Sequence, residues 1–223
     1  MPISNITPPD HTVDIVFCLD MTGNCTGAEQ LRYGLADFAK NYKAKYLENR
    51  GGEVKKLRVR FVLFKDYTCD CDPMIESEFF TLDEDLDEAL AFLEGRYSHG
   101  GGDMPECSLE ALTFAMRSEW TAESGIKRHI ICLVTDANAK SLTACRDCAG
   151  YPEDMPESLD EIKQMWDGMD KRAKRLVLFA PDWEPWGELT IEWEQTFLRP
   201  VSPGCGCGDV DIVKEFTDIA SCI

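Results

Sequence analysis

Val13-Asp14-Ile15-Val16-Phe17-Cys18-Leu19-Asp20-Met21-Thr22-Gly23-Asn24-Cys25-Thr26 is the stretch that decides the fold. Val13 to Leu19 is apolar except for Asp14, and rich in β-branched and aromatic residues. That pattern predicts a strand buried on both faces, as in a parallel sheet. The strand ends in Asp20, and Thr22, Gly23 and Asn24 follow before a long helical pattern begins. A carboxylate, a hydroxyl and an amide are thus crowded onto one turn at the carboxyl end of a central strand, where open α/β sheets bind their ligands. All three are hard oxygen donors, suited to Mg²⁺ or Mn²⁺, or to Ca²⁺, more than to zinc.

Outward from this turn, Leu31, Leu35, Phe38, Tyr42 and Tyr46 recur at spacings of three and four, predicting one face of a helix that stops near Gly51-Gly52. Leu57 to Phe64 reads as a second strand, with Asp66 just beyond it, and Glu76 to Leu82 as an edge strand. Asp83, Glu84 and Asp85 suit the first turn of a helix whose core positions are Leu86, Leu90 and Leu93. Three glycines, Gly100 to Gly102, lead into Asp103 and a helix expected to run to about Trp120, with Pro105 in its first turn. Arg128 to Val134 is the next buried strand, ending at Thr135-Asp136. A polar loop spans Ala137 to Ser158, before a helix over Leu159 to Asp170 and a strand over Arg175 to Ala180. A Trp-Pro loop, a last strand over Gln195 to Val201, a Gly-Cys loop over Ser202 to Gly208 and a closing helix complete the chain. The alternation predicts a doubly wound, mostly parallel α/β sheet with helices on both faces and one antiparallel edge strand. Residues 1–12 read as a tail and 13–223 as a single domain.

With 23 basic and 41 acidic residues the net charge is −18, which argues against nucleic acid or an anionic membrane as partner. No apolar run approaches membrane-spanning length, and the first ten residues lack a basic start and an apolar core. The expected compartment is the cytoplasm, where the eleven cysteines would be reduced thiols. Cys18 and Cys132 fall inside strands as small apolar residues. Cys69/Cys71, Cys145/Cys148 and Cys205/Cys207 have spacings that permit zinc only if two of their loops meet; free thiols are the expectation.

Three segments carry a family resemblance. Asp20-Met21-Thr22-Gly23-Asn24 resembles the D-x-[ST]-x-S turn that opens the metal-ion-dependent adhesion site (MIDAS) of von Willebrand factor A domains, in its D-x-T-G-S form from stand-alone bacterial proteins. Gly100-Gly101-Gly102-Asp103-Met104-Pro105-Glu106 resembles the G-G-G-D-x-P-E segment of that subgroup, and Leu133-Val134-Thr135-Asp136-Ala137 its L-[IV]-T-D-[AG] strand end. Weaker matches at Phe64 to Tyr67 and Lys174 to Pro181 extend the likeness over most of the chain. The resemblance implies that Asp20, Thr22, Asn24, Asp103 and Asp136 converge on one divalent cation. Thr22 would be a direct ligand, and Asp20 and Asp136 would act largely through water or by orienting hydroxyls. Two positions depart from the pattern: Asn24 stands where a second serine is usual, and Asp103 where a threonine is common. The implied function is a non-catalytic adaptor that binds another protein in a cytoplasmic assembly, of the kind found in stress or defence systems.

Each residue also has a plainer role available. Asp20, Asp103 and Asp136 could cap the helices that follow. Asp66 suits a structural role, His99 a solvated loop, and two of Trp183, Trp186 and Trp193 the core. The competing function is a Mg²⁺-dependent phosphatase of the haloacid dehalogenase type with Asp20 as nucleophile. That chemistry needs a second carboxylate two residues on as general acid, and Thr22 stands there instead. Neither a G-x-S-x-G elbow nor a P-loop is present, so no catalytic residues are assigned.

Overall fold

The computed structural model describes residues 10–102, 104–123 and 125–223. Along the chain run β1 (His11–Asp20), α1 (Gly27–Arg50), β2 (Val54–Phe64), β3 (Met74–Glu76), β4 (Phe80–Thr81), α2 (Leu86–Leu93) and α3 (Ser108–Met116). They are followed by β5 (Ile126–Val134), α4 (Leu159–Gly168), β6 (Lys174–Ala180), α5 (Trp186–Glu192), β7 (Thr196–Pro200) and α6 (Ile212–Cys222). The sheet order is β3-β2-β1-β5-β6-β7, with β4 also paired to β2. β1 is parallel to both β2 and β5, and β6 and β7 continue in parallel, whereas β3 and β4 run antiparallel to β2.

The period of two along β1 builds both faces of the sheet. Val13, Ile15, Phe17 and Leu19 enter one core with α1, α2 and α6, while Val16 and Cys18 enter the other with α3, α4 and α5. Phe17 is the centre of the first, its ring 5.1 Å from Phe216 and 6.0 Å from Phe38. Burying a ring of this size contributes roughly 1.5–3 kcal/mol. In the second core Trp166 stacks on Trp193 with centroids 6.2 Å apart, and Trp186 is fully buried.

Asp14, the one charge inside β1, is fully buried and accepts from Arg58 Nε at 2.8 Å and Nη2 at 2.7 Å, and from the Thr121 amide at 2.7 Å. A forked guanidinium plus a backbone donor is what keeps a buried carboxylate tolerable. α1 ends where the periodicity predicts, with Gly51 left-handed at φ 67° and its amide bonded to Leu47 O at 2.9 Å.

Four expectations are corrected by the fold. The single edge strand is two short ones, because both Met74–Glu76 and Phe80–Thr81 pair with β2. α3 starts at Ser108, so Pro105 lies outside it. The backbone at Glu106 is instead bridged to Ala139, with Glu106 N donating to Asn138 O and Lys140 N to Glu106 O. Part of the Trp-Pro loop is helical, as α5. Asp83, Glu84 and Asp85 precede α2, and Asp85, at its N-cap position, takes the Thr81 amide at 2.9 Å on its side chain instead of an amide of the helix.

Candidate metal centre

β1 is the point where the chain's path across the sheet reverses, with β2 on one side and β5 on the other. Their register sets Leu19 against Val134, so Asp20 and the Thr135-Asp136 pair leave the sheet side by side. Two acidic strand ends 116 positions apart in the chain thus lie close together, with a carboxylate oxygen of Asp20 within 4.8 Å of one of Asp136.

Asp20 is fully buried and caps no helix. Its Oδ1 accepts from Thr22 N at 2.8 Å and Thr22 Oγ1 at 2.6 Å, and its Oδ2 from Thr135 Oγ1 at 2.7 Å. Because Thr22 spends its proton on Asp20, its lone pairs are left as oxygen donors, whereas Thr135 Oγ1 also accepts the Ala137 amide at 3.1 Å. Burial pushes the Asp20 carboxyl up to about 6, an effect that the Thr22 and Thr135 hydrogen bonds oppose and the Asp136 charge adds to.

Asp136 is held differently. Its Oδ2 accepts from the Gly206 amide at 2.6 Å, and its carbonyl from the Gly204 amide at 2.9 Å. The Gly-Cys loop is thereby fixed to the end of β5. Gly206, at φ +72°, also packs on the Asn24 backbone, where a Cβ would run into the Asn24 carbonyl. The carbonyl of Gly206 itself accepts from Thr26 N at 2.7 Å and Thr26 Oγ1 at 2.9 Å. Only glycine fits that position.

A cavity of about 330 Å³ opens over these groups, lined by Thr22, Asn24, Gly101, Glu106, Asp136 and Gly204 among others. Asn24 is exposed at its mouth. Asp103 lies outside the described residues. Of the five residues expected to converge, Asp20, Thr22 and Asp136 do so, and Asn24 borders the opening.

Glu106 was not in that expected set. It is 3% exposed, its carboxyl meets Thr22, and its Oε2 has no hydrogen-bond partner among the described residues. Burial, then the nearby Asp20 charge, raises its pKa to about 8. Its placement follows from the bridge to Ala139, which aims an extended backbone at the crevice where a helical one was expected. The P-E pair of the Gly-rich segment was the only sequence signal for it.

Asp66, Cys107 and Cys145 form a second buried cluster next to this one. Lys140 is bonded to Asp66 within it, so a cation is already supplied by the chain. Burial alone would raise the Asp66 pKa, but the Lys140 ammonium and the Thr68 hydrogen bonds bring it below the usual carboxylate range. Asp66 is thus engaged by Lys140 and by the Thr68 amide. The thiols that meet are not the close-spaced sequence pairs: Cys107 lies 3.6 Å from Cys145, and Cys25 lies 3.7 Å from Cys207. His11 bonds Tyr46 at 2.7 Å, His129 stacks on Trp120, and His99 is exposed beside Lys65.

Solved structures show the same architecture. The pilus adhesin SpaC from Lactobacillus rhamnosus GG superposes with a TM-score of 0.54 at 12% identity, over 98% of this chain and 30% of SpaC. Proximal thread matrix protein 1 (PTMP1) from the mussel byssus, with a zinc-occupied MIDAS motif, superposes with a TM-score of 0.55 at 12% identity, over 97% of this chain and 47% of PTMP1. The fold is von Willebrand factor A-like. This chain spans less than half of either of those chains. No protein-family model and no curated protein sequence matches it. Among the described residues, no helix is long and apolar enough to cross a membrane.

Proposed function

We propose that the chain is a divalent-cation-dependent protein-interaction module without catalytic activity of its own. The observation that carries this reading is the donor set in and beside one crevice: the Thr22 hydroxyl, the buried carboxyls of Asp20, Asp136 and Glu106, and one Glu106 oxygen with no partner among the described residues. Three buried acids around one cavity repel one another, and a dication relieves that repulsion. Oxygen donors of this kind accept Mg²⁺ or Mn²⁺. When bound, the cation would supply a positive point charge for an acidic group of a partner.

The rim offers a surface for protein contact. Met104 (59% exposed) and Trp183 (52% exposed) flank a small pocket that reaches Asp136, and Met and Trp are residue types enriched at interfaces. Trp186 and Trp193 are core, so Trp183 alone is available for such contact.

A phosphatase with Asp20 as nucleophile is less well supported. Its carboxylate is fully buried and takes three hydrogen bonds from Thr22 and Thr135, and Thr22 has no acidic proton to donate. A module acting through its cation captures its partner in Mg²⁺ and releases it in chelator, and an Asp20→Ala, Thr22→Ala variant captures nothing. Equal capture by wild type and variant, or phosphate release from a simple phosphoester by pure protein, would contradict the reading. A cytoplasmic adaptor role in stress or defence assemblies belongs to the same proposal and rests on the sequence resemblance alone.

A further inference from the structure

Beside the carboxylates of Asp20 and Asp136 lies one donor that an oxygen-only cation site has no use for. Cys25 is 2% exposed, and its Sγ lies with one carboxylate oxygen each of Asp20 and Asp136 in a group whose members are all within 4.8 Å of one another. This is unlike Cys18 and Cys132, which are surrounded by the apolar side chains of the sheet. The Cys25 thiol faces the Cys207 sulfur at 3.7 Å, a poor acceptor, and its sulfur also meets the Gly27 amide. Its backbone is fixed on both sides, with Cys25 N bonded to Thr22 O at 3.1 Å and its carbonyl accepting from Ser98 Oγ. The sulfur is thus held beside the two carboxylates by the same turn that presents Thr22.

We propose that Cys25 is a ligand of the cation, and that with Asp20 and Asp136 it makes the crevice bind Zn²⁺ more tightly than Mg²⁺. The inference rests on the crevice being a cation site at all, as argued above. Zinc takes thiolate sulfur at about 2.3 Å and carboxylate oxygen at about 2.0–2.2 Å, so three ligand atoms gathered within 4.8 Å reach one ion after shifts of less than about 1 Å. Asp20 has lone-pair capacity left, since a carboxylate offers about four acceptor sites and three are used. Thr22 or Glu106 is at hand to complete a four-coordinate shell. Coordination replaces the S–H bond with an S–Zn bond, and the thiol proton leaves to solvent. Mg²⁺ gains nothing from a thiolate, so the sulfur separates the two ions.

The other thiol and carboxylate cluster supplies the internal contrast. Asp66, Cys107 and Cys145 are as close together, but the Lys140 ammonium already sits on Asp66 and would repel a dication there.

Co²⁺ serves as the spectroscopic stand-in for Zn²⁺, because thiolate ligation gives a sulfur-to-cobalt charge-transfer band in the near ultraviolet. Wild-type protein should show that band on saturation with Co²⁺, lose it when Zn²⁺ is added, and bind Zn²⁺ at least about tenfold more tightly than Mg²⁺. Cys25→Ala and Cys25→Ser should lose the band and the preference but keep Mg²⁺ binding, whereas Cys207→Ala and Cys145→Ala should keep the band. Saturable Mg²⁺ and Co²⁺ binding by wild type with no charge-transfer band overturns the role of Cys25 and leaves the cation site standing. The wild-type spectrum decides this even where a variant fails to fold. A band that survives in folded Cys25 variants also overturns it. Absence of binding by any of the three ions removes the cation site itself.

Discussion

Thr135 Oγ1 donates to Asp20 Oδ2 across 2.7 Å and accepts the Ala137 amide at 3.1 Å, so one hydroxyl joins the ends of β5 and β1. Both residues are fully buried. The bond fixes the Asp20 carboxylate beside the end of β5, and under the proposed cation site Thr135 is a positioning residue.

Replacing Thr135 with Val leaves a buried carboxylate oxygen and the Ala137 amide unpaired. Chemical denaturation should show a loss of about 1–3 kcal/mol. Thr135→Ser should recover most of the stability and of the cation affinity, because the hydroxyl alone does the joining. A Val variant as stable as wild type would mean that Asp20 is positioned by Thr22 alone.

Glu106 makes the stability of the metal-free protein depend on pH with a definite sign. Its folded pKa is raised from 4.5 to about 8, so the folded state holds the proton more tightly than the unfolded chain. Stability therefore falls as pH rises from about 4.5 to about 8. Thermal unfolding of wild type and Glu106→Gln should give similar midpoints near pH 5, with wild type the less stable of the two near pH 8 in chelator. Mg²⁺ should remove that deficit in wild type. A gap between the two proteins that is constant with pH contradicts the placement of Glu106 in the site.

At the opposite end of β1, Asp14 and Arg58 carry a prediction about stability alone. Asp14→Ala leaves the Arg58 guanidinium and the Thr121 amide without their acceptor. The expected loss is about 3–5 kcal/mol by denaturant titration, with cation affinity of the folded protein unchanged.

How much of this was legible in the sequence follows from how local each signal is. β1 and the Asp20 turn, α1 with its Gly51 stop, and the end of β5 at Thr135-Asp136 depend on neighbours within one element, so periodicity and the terminal polar residue suffice. The neighbouring of β1 and β5 was implied by the family resemblance, since the alternation of strands and helices gives the class of sheet and not which strands pair. Glu106 was hidden because its direction is set by backbone pairing with Asn138 to Lys140, more than thirty residues away. Gly206 and the Cys25–Cys207 contact were hidden for the same reason, since a loop near the end of the chain closes over a turn near its beginning. The two short strands β3 and β4 and the seven-residue α5 carry too few residues to show a period.

The central claim is that this crevice holds a divalent cation, and calorimetric titration of Mg²⁺ and Mn²⁺ into chelator-stripped protein tests it most directly, with Asp20→Ala, Thr22→Ala protein run alongside. The account predicts saturable binding near one ion per chain that the variant loses while its far-ultraviolet circular dichroism stays unchanged. Wild-type protein that takes up neither ion, or a folded variant that binds as wild type does, would contradict it.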